Sequence, residues 1–374
     1  MQFIDLKTQF ERIEDDVFSR VSTVLQSQKY VMGPEIAELE EKLAEYAGVR
    51  HAISCSSGTD ALVIPLMGYD LKATDAVFVP SFTFFASAES ITLAGGTPVF
   101  VDSDATTFNL SPADLDRAID ETLAEGKLTP RGIITVDLFG QPADYDEILA
   151  IADKHGLFVI EDAAQGFGGE YKGAKAGSFG NVASTSFFPA KPLGCYGDGG
   201  AIFTDDDDLA ELIKSIRVHG QGSDKYDNVR IGVNGRLDSI QAAVLLSKLA
   251  IFDSEVEARN QVANAYSERL SDVLAVPAVT NGKLSVWAQY TLVAKDADER
   301  TAIIDACKAA GVPTAIYYPI PIHLSTAYKN LGYKLGDLPV CEDLANRVFS
   351  IPMHPYLQES DIEQIVAAVK EGLR

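Results

Sequence analysis

The sequence predicts an α/β fold in which a large domain with a mostly parallel central sheet is followed by a smaller C-terminal α/β domain. Three observations support this prediction. Short apolar segments alternate with helical patterns, which favours parallel strands with helices on both faces. Several of these segments contain few charges, as expected for strands covered on both sides. After Arg236 the alternation ends, and a long charged helical region leads into a second group of elements.

Two amphipathic helices are predicted at the start of the chain. Apolar residues recur at the spacing of one helical face in two separate stretches. The first stretch carries Phe10, Ile13, Val17, Val21 and Val24, and the second carries Ile36, Leu39, Leu43 and Tyr46. Gly48 follows the second stretch, at the place where a glycine that ends a helix is expected.

Seven strands are predicted in the large domain. They are His51–Ser54, Ala76–Val79, Pro98–Val101, Gly132–Val136, Leu157–Ile160, Ala183–Phe187 and Ala201–Thr204. Helical patterns such as Ser111–Ala124 and Tyr145–His155 lie between them. Ligands bind beyond the C-terminal ends of the strands in such sheets. The segments that follow these strands are therefore where a functional site is expected.

The large domain is predicted to span residues 1–252 and the small domain residues 253–374, and the N-terminal helix is compatible with packing against either. The elements predicted after Arg236 are a helical region from Leu237 to about Leu274 with a break near Ile251–Ser254, a strand Val286–Ala294, a helix Glu299–Ala310, a strand Thr314–Tyr318, a helix Glu342–Val348, a strand Phe349–Pro352 and a helix Asp361–Leu373.

Composition argues against several classes of function. The chain has 31 Lys and Arg against 54 Asp and Glu, a formal net charge of −23. Such an acidic protein is not expected to bind nucleic acid or anionic lipid in general. The four cysteines are far apart in sequence, which indicates neither a zinc site nor a disulfide framework. No signal peptide or membrane-spanning segment is apparent, so a cytoplasmic protein is expected.

The acidic run Asp205–Asp208 has two interpretations. A metal site needs oxygens that converge on one point, and a linear run does not supply them. Carboxylates are favourable at the positive end of a helix. The run is therefore predicted to start the helix Leu209–Ile216, and no metal is expected.

The segment Ser56–Leu62 follows a predicted strand and opens a predicted helix. Backbone N–H groups at the start of a helix point outward, and the helix dipole favours an anion such as phosphate there. The hydroxyl groups of Ser57 and Thr59 are further possible donors. Taken alone, these residues are also typical of an ordinary helix N-cap.

Two further segments place reactive groups after predicted strands. In Val159–Gln165, Glu161 and Asp162 end an apolar strand, where a carboxylate can pair with a protonated ring nitrogen; a helix-capping role is the simpler interpretation. Ser184–Gly194 encloses Lys191 among prolines, phenylalanines and glycines. A lysine in apolar surroundings loses its charge more easily and becomes nucleophilic. The alternative is a surface lysine with only its stem buried.

The order and separation of these motifs are more specific than any single motif. Together with the aromatic segment Pro80–Phe84, they match a site that holds pyridoxal phosphate (PLP) as a Schiff base on lysine. The sequence resembles the sugar aminotransferase family of the DegT/DnrJ/StrS type, which has the PLP-dependent transferase fold type I, like aspartate aminotransferase. The resemblance extends from the opening Ile-Asp-Leu-Lys-Thr-Gln to Tyr-Tyr-Pro-Ile-Pro-Ile-His and the C-terminal helix.

The resemblance implies a role for each matching residue. Lys191 carries the cofactor and moves protons during the reaction. Asp162 holds the proton on the pyridine nitrogen, so that the ring accepts electrons. The other implied cofactor contacts are Gln165 at the phenolic oxygen, Phe84 stacked on the ring, and Ser57, Gly58, Thr59 and Ser186 at the phosphate.

Two more residues are predicted to act near the cofactor. The resemblance implies that Asn234 reaches the phosphate of a neighbouring subunit, which makes a homodimer with shared active sites. Arg236 lies two residues later, and we expect it to bind an anionic group of the substrate through two parallel hydrogen bonds. The alternative for Arg236 is an ion pair with Asp238 or a nearby glutamate. The residues that resemble the family's substrate loop are Tyr317, Tyr318 and His323.

The implied reaction is the transfer of an amino group from glutamate to a keto sugar attached to a nucleotide. The segments Phe187–Ala201 and Ile231–Ala243 most resemble the branch that aminates UDP-2-acetamido-2-deoxy-3-keto-glucuronate for surface polysaccharide. The first alternative is an aminotransferase for 4-keto-6-deoxy nucleotide sugars. A dehydratase of the same fold is disfavoured because histidine replaces the lysine in that branch, and the acidic charge disfavours a non-enzymatic regulator that senses a small molecule and binds DNA.

Overall fold

A seven-stranded sheet forms the centre of the large domain in the computed structural model, which describes residues 1–224, 226–280 and 282–374. The strands of the whole described structure, including those outside the central sheet, are β1 (His51–Cys55), β2 (Asp75–Pro80), β3 (Thr97–Val101), β4 (Thr129–Val136), β5 (Phe158–Asp162), β6 (Glu170–Tyr171), β7 (Ala174–Lys175), β8 (Val182–Ser186), β9 (Gly200–Thr204), β10 (Lys283–Leu284), β11 (Tyr290–Val293) and β12 (Val348–Ile351). The central sheet has the order β1-β9-β8-β5-β4-β2-β3. The seven predicted strands are thereby confirmed.

The helices pack around this sheet and form much of the C-terminal region. They are α1 (Leu6–Ser27), α2 (Pro34–Ala47), α3 (Gly58–Gly68), α4 (Ala86–Leu93), α5 (Pro112–Glu125), α6 (Tyr145–His155), α7 (Asp207–Arg217), α8 (Ser239–Leu249), α9 (Phe252–Leu270), α10 (Ala297–Ala309), α11 (Pro339–Arg347) and α12 (Glu359–Glu371), with 3-10 turns at Leu138–Gly140, Ile322–Leu324 and Thr326–Leu331. Within the described ranges, none of these helices is long and apolar enough to cross a membrane.

The strands of the central sheet run in one direction with the exception of β9. Parallel pairs join β3 to β2, β2 to β4, β4 to β5 and β5 to β8, whereas β9 is antiparallel to β8 and β1. The predicted mostly parallel sheet is confirmed. The C-terminal ends of β1, β2, β4, β5 and β8 therefore lie along one edge, which we call the site edge.

Each central strand is buried on both faces. Val77 and Val79 pack with apolar residues of α3, α4 and α7, whereas Ala76 and Phe78 face the opposite side and pack with α5 and α6. Successive side chains of a strand point to opposite faces, so a strand with two covered faces must be apolar along its length. This packing explains why the predicted strands contain few charges.

A second core lies in the C-terminal region and unites α9, β11, α10, β12 and α12. The segment between α10 and β12 is not part of this second core. Its residues Ile322, Leu338 and Leu344 pack into the core of the large domain. Helix α1 packs against α8, and the Met353 N–H donates to the Phe3 carbonyl at 3.2 Å. The boundary between residues 252 and 253 falls at the first turn of α9 and remains a prediction.

Two predicted elements of the small domain need correction. The strand at Thr314–Tyr318 is wrong: only Ala315 pairs there, in a single bridge to Ser350. Pro313 and Pro319 flank this segment and have no N–H, so the pairing at Ala315 cannot be extended through either of them. The strand at Val286–Ala294 begins late, at Tyr290, because the Val286 N–H donates instead to Gly140 at 2.9 Å.

The acidic run is the start of a helix, as predicted. Asp206 caps α7 by accepting from the Leu209 N–H at 3.0 Å. Arg50 pairs with Asp207 at 2.9 Å. Among the described residues, no group of three or more His, Cys, Asp or Glu side chains is arranged to hold a metal ion.

Candidate active site

The predicted phosphate residues meet at the site edge. Ser57 caps α3 and accepts from the Asp60 N–H at 3.0 Å. Ser186 is the last residue of β8, and a Cβ added to Gly58 would lie only 2.5 Å from its Cβ. Glycine is therefore required for β8 and α3 to approach this closely. The N–H groups of Gly58 and Thr59 in the first turn of α3 have no backbone partner among the described residues, which suits an anion.

Asp162 is buried at the end of β5 with both oxygens hydrogen bonded. Oδ2 accepts from the Ser87 hydroxyl at 2.8 Å, and Oδ1 accepts from the Ala164 N–H at 3.1 Å. Burial raises the pKa of the Asp162 carboxyl, while the hydrogen bonds and the charge of Lys191 oppose this change. Asp162 and Lys191 are thus close enough for their charges to interact.

Lys191 is partly buried in the loop after β8. Its pKa is lowered by the loss of hydration and is raised in part by the charge of Asp162. Among the described residues its amine has no ion-pair or hydrogen-bond partner, although its backbone N–H donates to Phe188 at 2.8 Å. A lowered pKa increases the fraction of neutral, nucleophilic amine.

Gln165 connects the site edge with the small-domain loop. Its Oε1 accepts from the Phe139 N–H at 2.8 Å, and its Nε2 donates to the Tyr318 hydroxyl at 3.0 Å. Burial raises the pKa of Tyr318, so its hydroxyl stays protonated and can donate. Phe84 is 55% exposed, and its ring centroid lies 6.3 Å from that of Tyr318. Tyr317 also contacts Tyr318, with 5.8 Å between their ring centroids.

Asn234 and Arg236 lie in the segment between α7 and α8. Asn234 is exposed, and the carbonyl of the next residue, Gly235, accepts from the Ser56 N–H at 3.0 Å. This hydrogen bond attaches the segment to the start of the phosphate motif. Arg236 is partly buried and forms no ion pair with any described residue, so the alternative of an ion pair with Asp238 does not hold here.

The prediction that His323 contacts the substrate directly needs correction. The side chain is only 1% exposed. Its Nδ1 lies 2.7 Å from the Ser81 hydroxyl and its Nε2 lies 3.1 Å from Glu342. Since both ring nitrogens are occupied inside the protein, His323 anchors the loop to the end of β2.

Two contacts at the site edge were not predicted from the sequence. Ser87 donates to Asp162 from α4, and its hydroxyl lies 3.1 Å from that of Thr83. The Phe139 backbone orients Gln165 from a turn with a left-handed φ of 60°. The sequence offered a clue to Ser87, because this residue lies three positions after Phe84, the last residue of the aromatic segment. Phe139 acts through its backbone, which no side-chain motif reveals.

The comparison with protein families settles the class of this chain. A model of the DegT/DnrJ/EryC1/StrS aminotransferase family matches residues 11–370. The chain belongs to this family. Membership confirms the resemblance inferred from the motifs, and identifies the protein as an aminotransferase with the fold predicted for its large domain.

Relatives of known name cover the full length of this family member. The UDP-2-acetamido-2-deoxy-3-oxo-D-glucuronate aminotransferase of Pseudomonas aeruginosa is 47% identical over 372 residues, 99% of each chain. A protein of Geobacillus stearothermophilus named pleiotropic regulatory protein is 40% identical over 375 residues, 99% of this chain and 98% of that protein.

Solved structures of similar proteins have the same fold. A DegT/DnrJ/EryC1/StrS aminotransferase from Brucella abortus is 51% identical, with a TM-score of 0.96 over 99% of this chain and 98% of that chain. A sugar aminotransferase of Streptococcus pneumoniae, solved in PLP and PMP forms, is 26% identical with a TM-score of 0.89 over 96% of each chain. Family membership and these neighbours indicate pyridoxal phosphate as the cofactor.

The residues at the site edge have the features that this cofactor requires. The unpaired N–H groups at the start of α3 suit its phosphate. The buried carboxylate of Asp162 suits a protonated ring nitrogen, and the partly buried amine of Lys191 suits a covalent link. Nothing in the geometry of these groups conflicts with the cofactor.

Proposed function

We propose that this family member transfers an amino group to a nucleotide-linked keto sugar, with Lys191 and Asp162 as its catalytic residues. The observation that supports this proposal is the juxtaposition of a partly buried lysine, whose pKa is lowered, with a buried carboxylate at the C-terminal edge of a parallel sheet. When bound, pyridoxal phosphate supplies an aldehyde that takes up an amine and a ring that withdraws electrons.

Each residue at the site edge has a proposed task. Lys191 holds the cofactor and, once released, moves a proton to or from the carbon that loses or gains the amino group. Asp162 holds the proton of the ring nitrogen, and Ser87 orients Asp162. Gln165 faces the phenolic oxygen and Phe84 covers the ring. The phosphate is held by Ser57, Gly58, Thr59 and Ser186.

The proposed substrate is UDP-2-acetamido-2-deoxy-3-keto-glucuronate, with glutamate as the amino donor. The name of the Pseudomonas aeruginosa relative supports this substrate. The unpaired guanidinium of Arg236 suits the carboxylate of the sugar, and Tyr317 and Tyr318 are the further residues proposed to contact the substrate. The product is an amino sugar for surface polysaccharide. A 4-keto-6-deoxy nucleotide sugar is the alternative substrate, and it offers Arg236 no carboxylate.

A homodimer with shared sites is part of the proposal. Asn234 is exposed and makes no side-chain hydrogen bond among the described residues, as expected if its partner lies on another subunit. Large apolar side chains are exposed near it and near Lys191, notably Ile231 and Phe188, and such surfaces are typical of protein contacts. We place this enzyme in the cytoplasm because its four cysteines are buried and unpaired.

Two other functions remain alternatives on specific grounds. A regulatory role has the name of the Geobacillus stearothermophilus relative in its favour, but the net charge of −23 opposes contact with DNA. A dehydratase of the same fold is disfavoured by the lysine at position 191.

The proposal is tested by supplying the purified protein with PLP, glutamate and keto sugars generated by partner enzymes. We expect the wild type and Lys127→Ala, which changes an exposed lysine, to form an amino sugar and to retain the cofactor on Lys191 after borohydride reduction. Lys191→Ala should do neither, because only an amine at this position can form the link. A borohydride-stable lysine adduct in Lys191→Ala would refute the assignment.

A further inference from the structure

Two buried carboxyl groups lie directly behind Asp162, and the proposed reaction uses neither. Asp137 follows β4, and Glu161 precedes Asp162 in the neighbouring strand β5. Both side chains are fully buried. The register of the two strands pairs Thr135 with Glu161 and Val136 with Asp162. Because side chains alternate between the two faces of a sheet, Asp137 follows on the same face as Thr135 and Glu161, next to Glu161.

Backbone and hydroxyl donors satisfy three of the four carboxyl oxygens. The two oxygens of Glu161 accept from the N–H groups of Gly177 at 2.7 Å and Phe179 at 2.8 Å. Oδ1 of Asp137 accepts from the Ala143 N–H at 2.9 Å and the Tyr145 hydroxyl at 2.7 Å. Oδ2 of Asp137 is buried and has no donor among the described residues.

A proton held between the two carboxyl groups would supply the missing donor. Asp137 and Glu161 interact directly, since each contributes to the pKa shift of the other, and two carboxyl groups form a hydrogen bond with each other only when one of them carries a proton. The buried ion pairs of the described residues involve other carboxylates, so no cation compensates a second charge here. Two adjacent buried anions without a cation are strongly unfavourable.

The directions of the pKa shifts of Asp137, Glu161 and Tyr145 agree with one proton and one charge on the pair. Burial raises the pKa of Glu161 well above its usual range, and it raises the pKa of Asp137 to about 6. Tyr145 stays protonated because burial also raises its pKa. Asp162 is a further titratable group near the pair, and its charge also raises the pKa of Asp137.

We propose that Glu161 is a neutral acid that donates a hydrogen bond to Oδ2 of Asp137, and that the single buried anion of this pair positions Asp162 and strengthens its hold on the protonated ring nitrogen of the cofactor. The Asp137 N–H donates to the Asp162 carbonyl at 3.1 Å, so the pair is attached to the backbone it acts on. A nearby negative charge makes Asp162 a stronger acceptor for a proton. Asp137 and Glu161 are therefore positioning residues, and the effect on the cofactor rests on the proposed function.

Infrared spectroscopy of the cofactor-free protein tests the shared proton independently of any activity. At neutral pH we expect the wild type to show the carbonyl stretch of a protonated carboxyl group. Glu161→Gln should lose this band, because its amide replaces the acid as donor to Asp137. Asp162→Asn is the matched control and should keep it. A wild type without the band, or a Glu161→Gln variant that retains it, would overturn the proposal.

The effect on the cofactor is measured by the ¹⁵N shift of labelled pyridoxal phosphate during a pH titration. Glu161→Gln leaves the charged carboxylate of Asp137 in place, so the pKa of the ring nitrogen should stay close to the wild-type value. The double variant, Asp137→Asn with Glu161→Gln, has no charge, and its ring-nitrogen pKa should fall by about one unit. A fall of the same size in Glu161→Gln would mean that Glu161 is ionised in the wild type, which contradicts the proposal.

The two experiments separate the proposal from the proposed function. If the protein does not bind pyridoxal phosphate, the infrared band still reports whether Asp137 and Glu161 share a proton. If the cofactor binds and the double variant leaves the ring nitrogen unchanged, the shared proton stands but its action on Asp162 is refuted. Glu161→Gln preserves a donor to Asp137, so it keeps the infrared test available if Asp137→Asn fails to fold.

Discussion

Loss of hydration decides the chemical state of Asp162 and Lys191. Burial raises the pKa of the carboxyl and lowers the pKa of the amine. Each charge opposes the shift of the other, because opposite charges stabilise one another. Both residues would be fully charged in water, and burial moves the two pKa values towards each other. Such shifts are typical of a site that moves protons.

Asp162→Asn tests the role of this charge at nearly constant shape. We expect the transamination rate to fall by about 10²-fold or more, because a neutral amide does not hold the proton of the ring nitrogen. The thermal midpoint should change little, since the Ser87 hydroxyl can still bond to the new side chain. Ser87→Ala keeps the carboxylate and should lose less activity. Near-normal turnover by Asp162→Asn would mean that another group serves the ring nitrogen.

Arg236→Ala tests the recognition of the sugar carboxylate. Arg236 has no ion-pair partner among the described residues, so its guanidinium is available to a ligand. The substitution should cost the uronate substrate about 1.5–3 kcal/mol in kcat/KM, the range for a hydrogen bond to a charged group. The matching sugar with a hydroxymethyl group at carbon 6 is the control and should be nearly unaffected. Equal losses for both sugars would leave Arg236 a structural role.

At the scale of elements, helix α8 carries a buried charge without a carboxylate partner. Lys248 is 1% exposed, and its amine has no hydrogen-bond partner among the described residues. The amine lies 4.5 Å from the centre of the Tyr196 ring. Burial lowers the pKa of Lys248 to about 8, and the charge of Glu255 opposes this shift only in part. Helix α8 therefore packs between α1 and α2 at an electrostatic cost.

Lys248→Met should stabilise the protein in a pH-dependent way. The pKa of Lys248 falls from 10.5 to about 8 on folding, so the unfolded chain binds more protons between these values. The destabilisation by Lys248 is complete below pH 8 and disappears as the pH rises towards 10.5. We expect a gain in the free energy of unfolding of about 2–3 kcal/mol at pH 7 and a much smaller gain at pH 10.

Urea unfolding at a fixed protein concentration measures this gain at both pH values. Lys7→Met, which replaces an exposed lysine, is the control and should change stability by no more than about 0.5 kcal/mol. An equal gain for Lys248→Met at pH 7 and pH 10 would show that the effect comes from apolar packing and not from the charge.

At the scale of the whole molecule, the proposed homodimer predicts complementation between inactive subunits. Lys191→Ala and Asn234→Ala should each abolish most activity. In a heterodimer of the two, one site collects both substitutions and the other has neither, because Lys191 and Asn234 of each site come from different subunits. We therefore expect activity to reappear. The measurement is the turnover of heterodimers purified through two different tags. Heterodimers without activity would mean that each site is built from one chain.

Local patterns were sufficient to predict much of the fold and of the cofactor site. The seven strands of the central sheet were predicted because burial on both faces demands an apolar run, and α6 was predicted with the bounds observed. The failures lie where tertiary contacts override local preference. Tyr318 was predicted in a strand, but its hydroxyl accepts a hydrogen bond from Gln165 and the segment forms no strand. His323 was predicted to contact the substrate, but its two ring nitrogens contact Ser81 and Glu342.

The sequence by itself determined the family, the cofactor and the α/β order of the chain, because these depend on residue types at fixed separations. The tertiary structure alone decided which charges are buried together. Asp137 and Glu161 are 24 positions apart, and nothing in either motif indicates that adjacent strands bring them into contact behind Asp162. Desolvation and proximity set their protonation, and both quantities exist only after the sheet has formed.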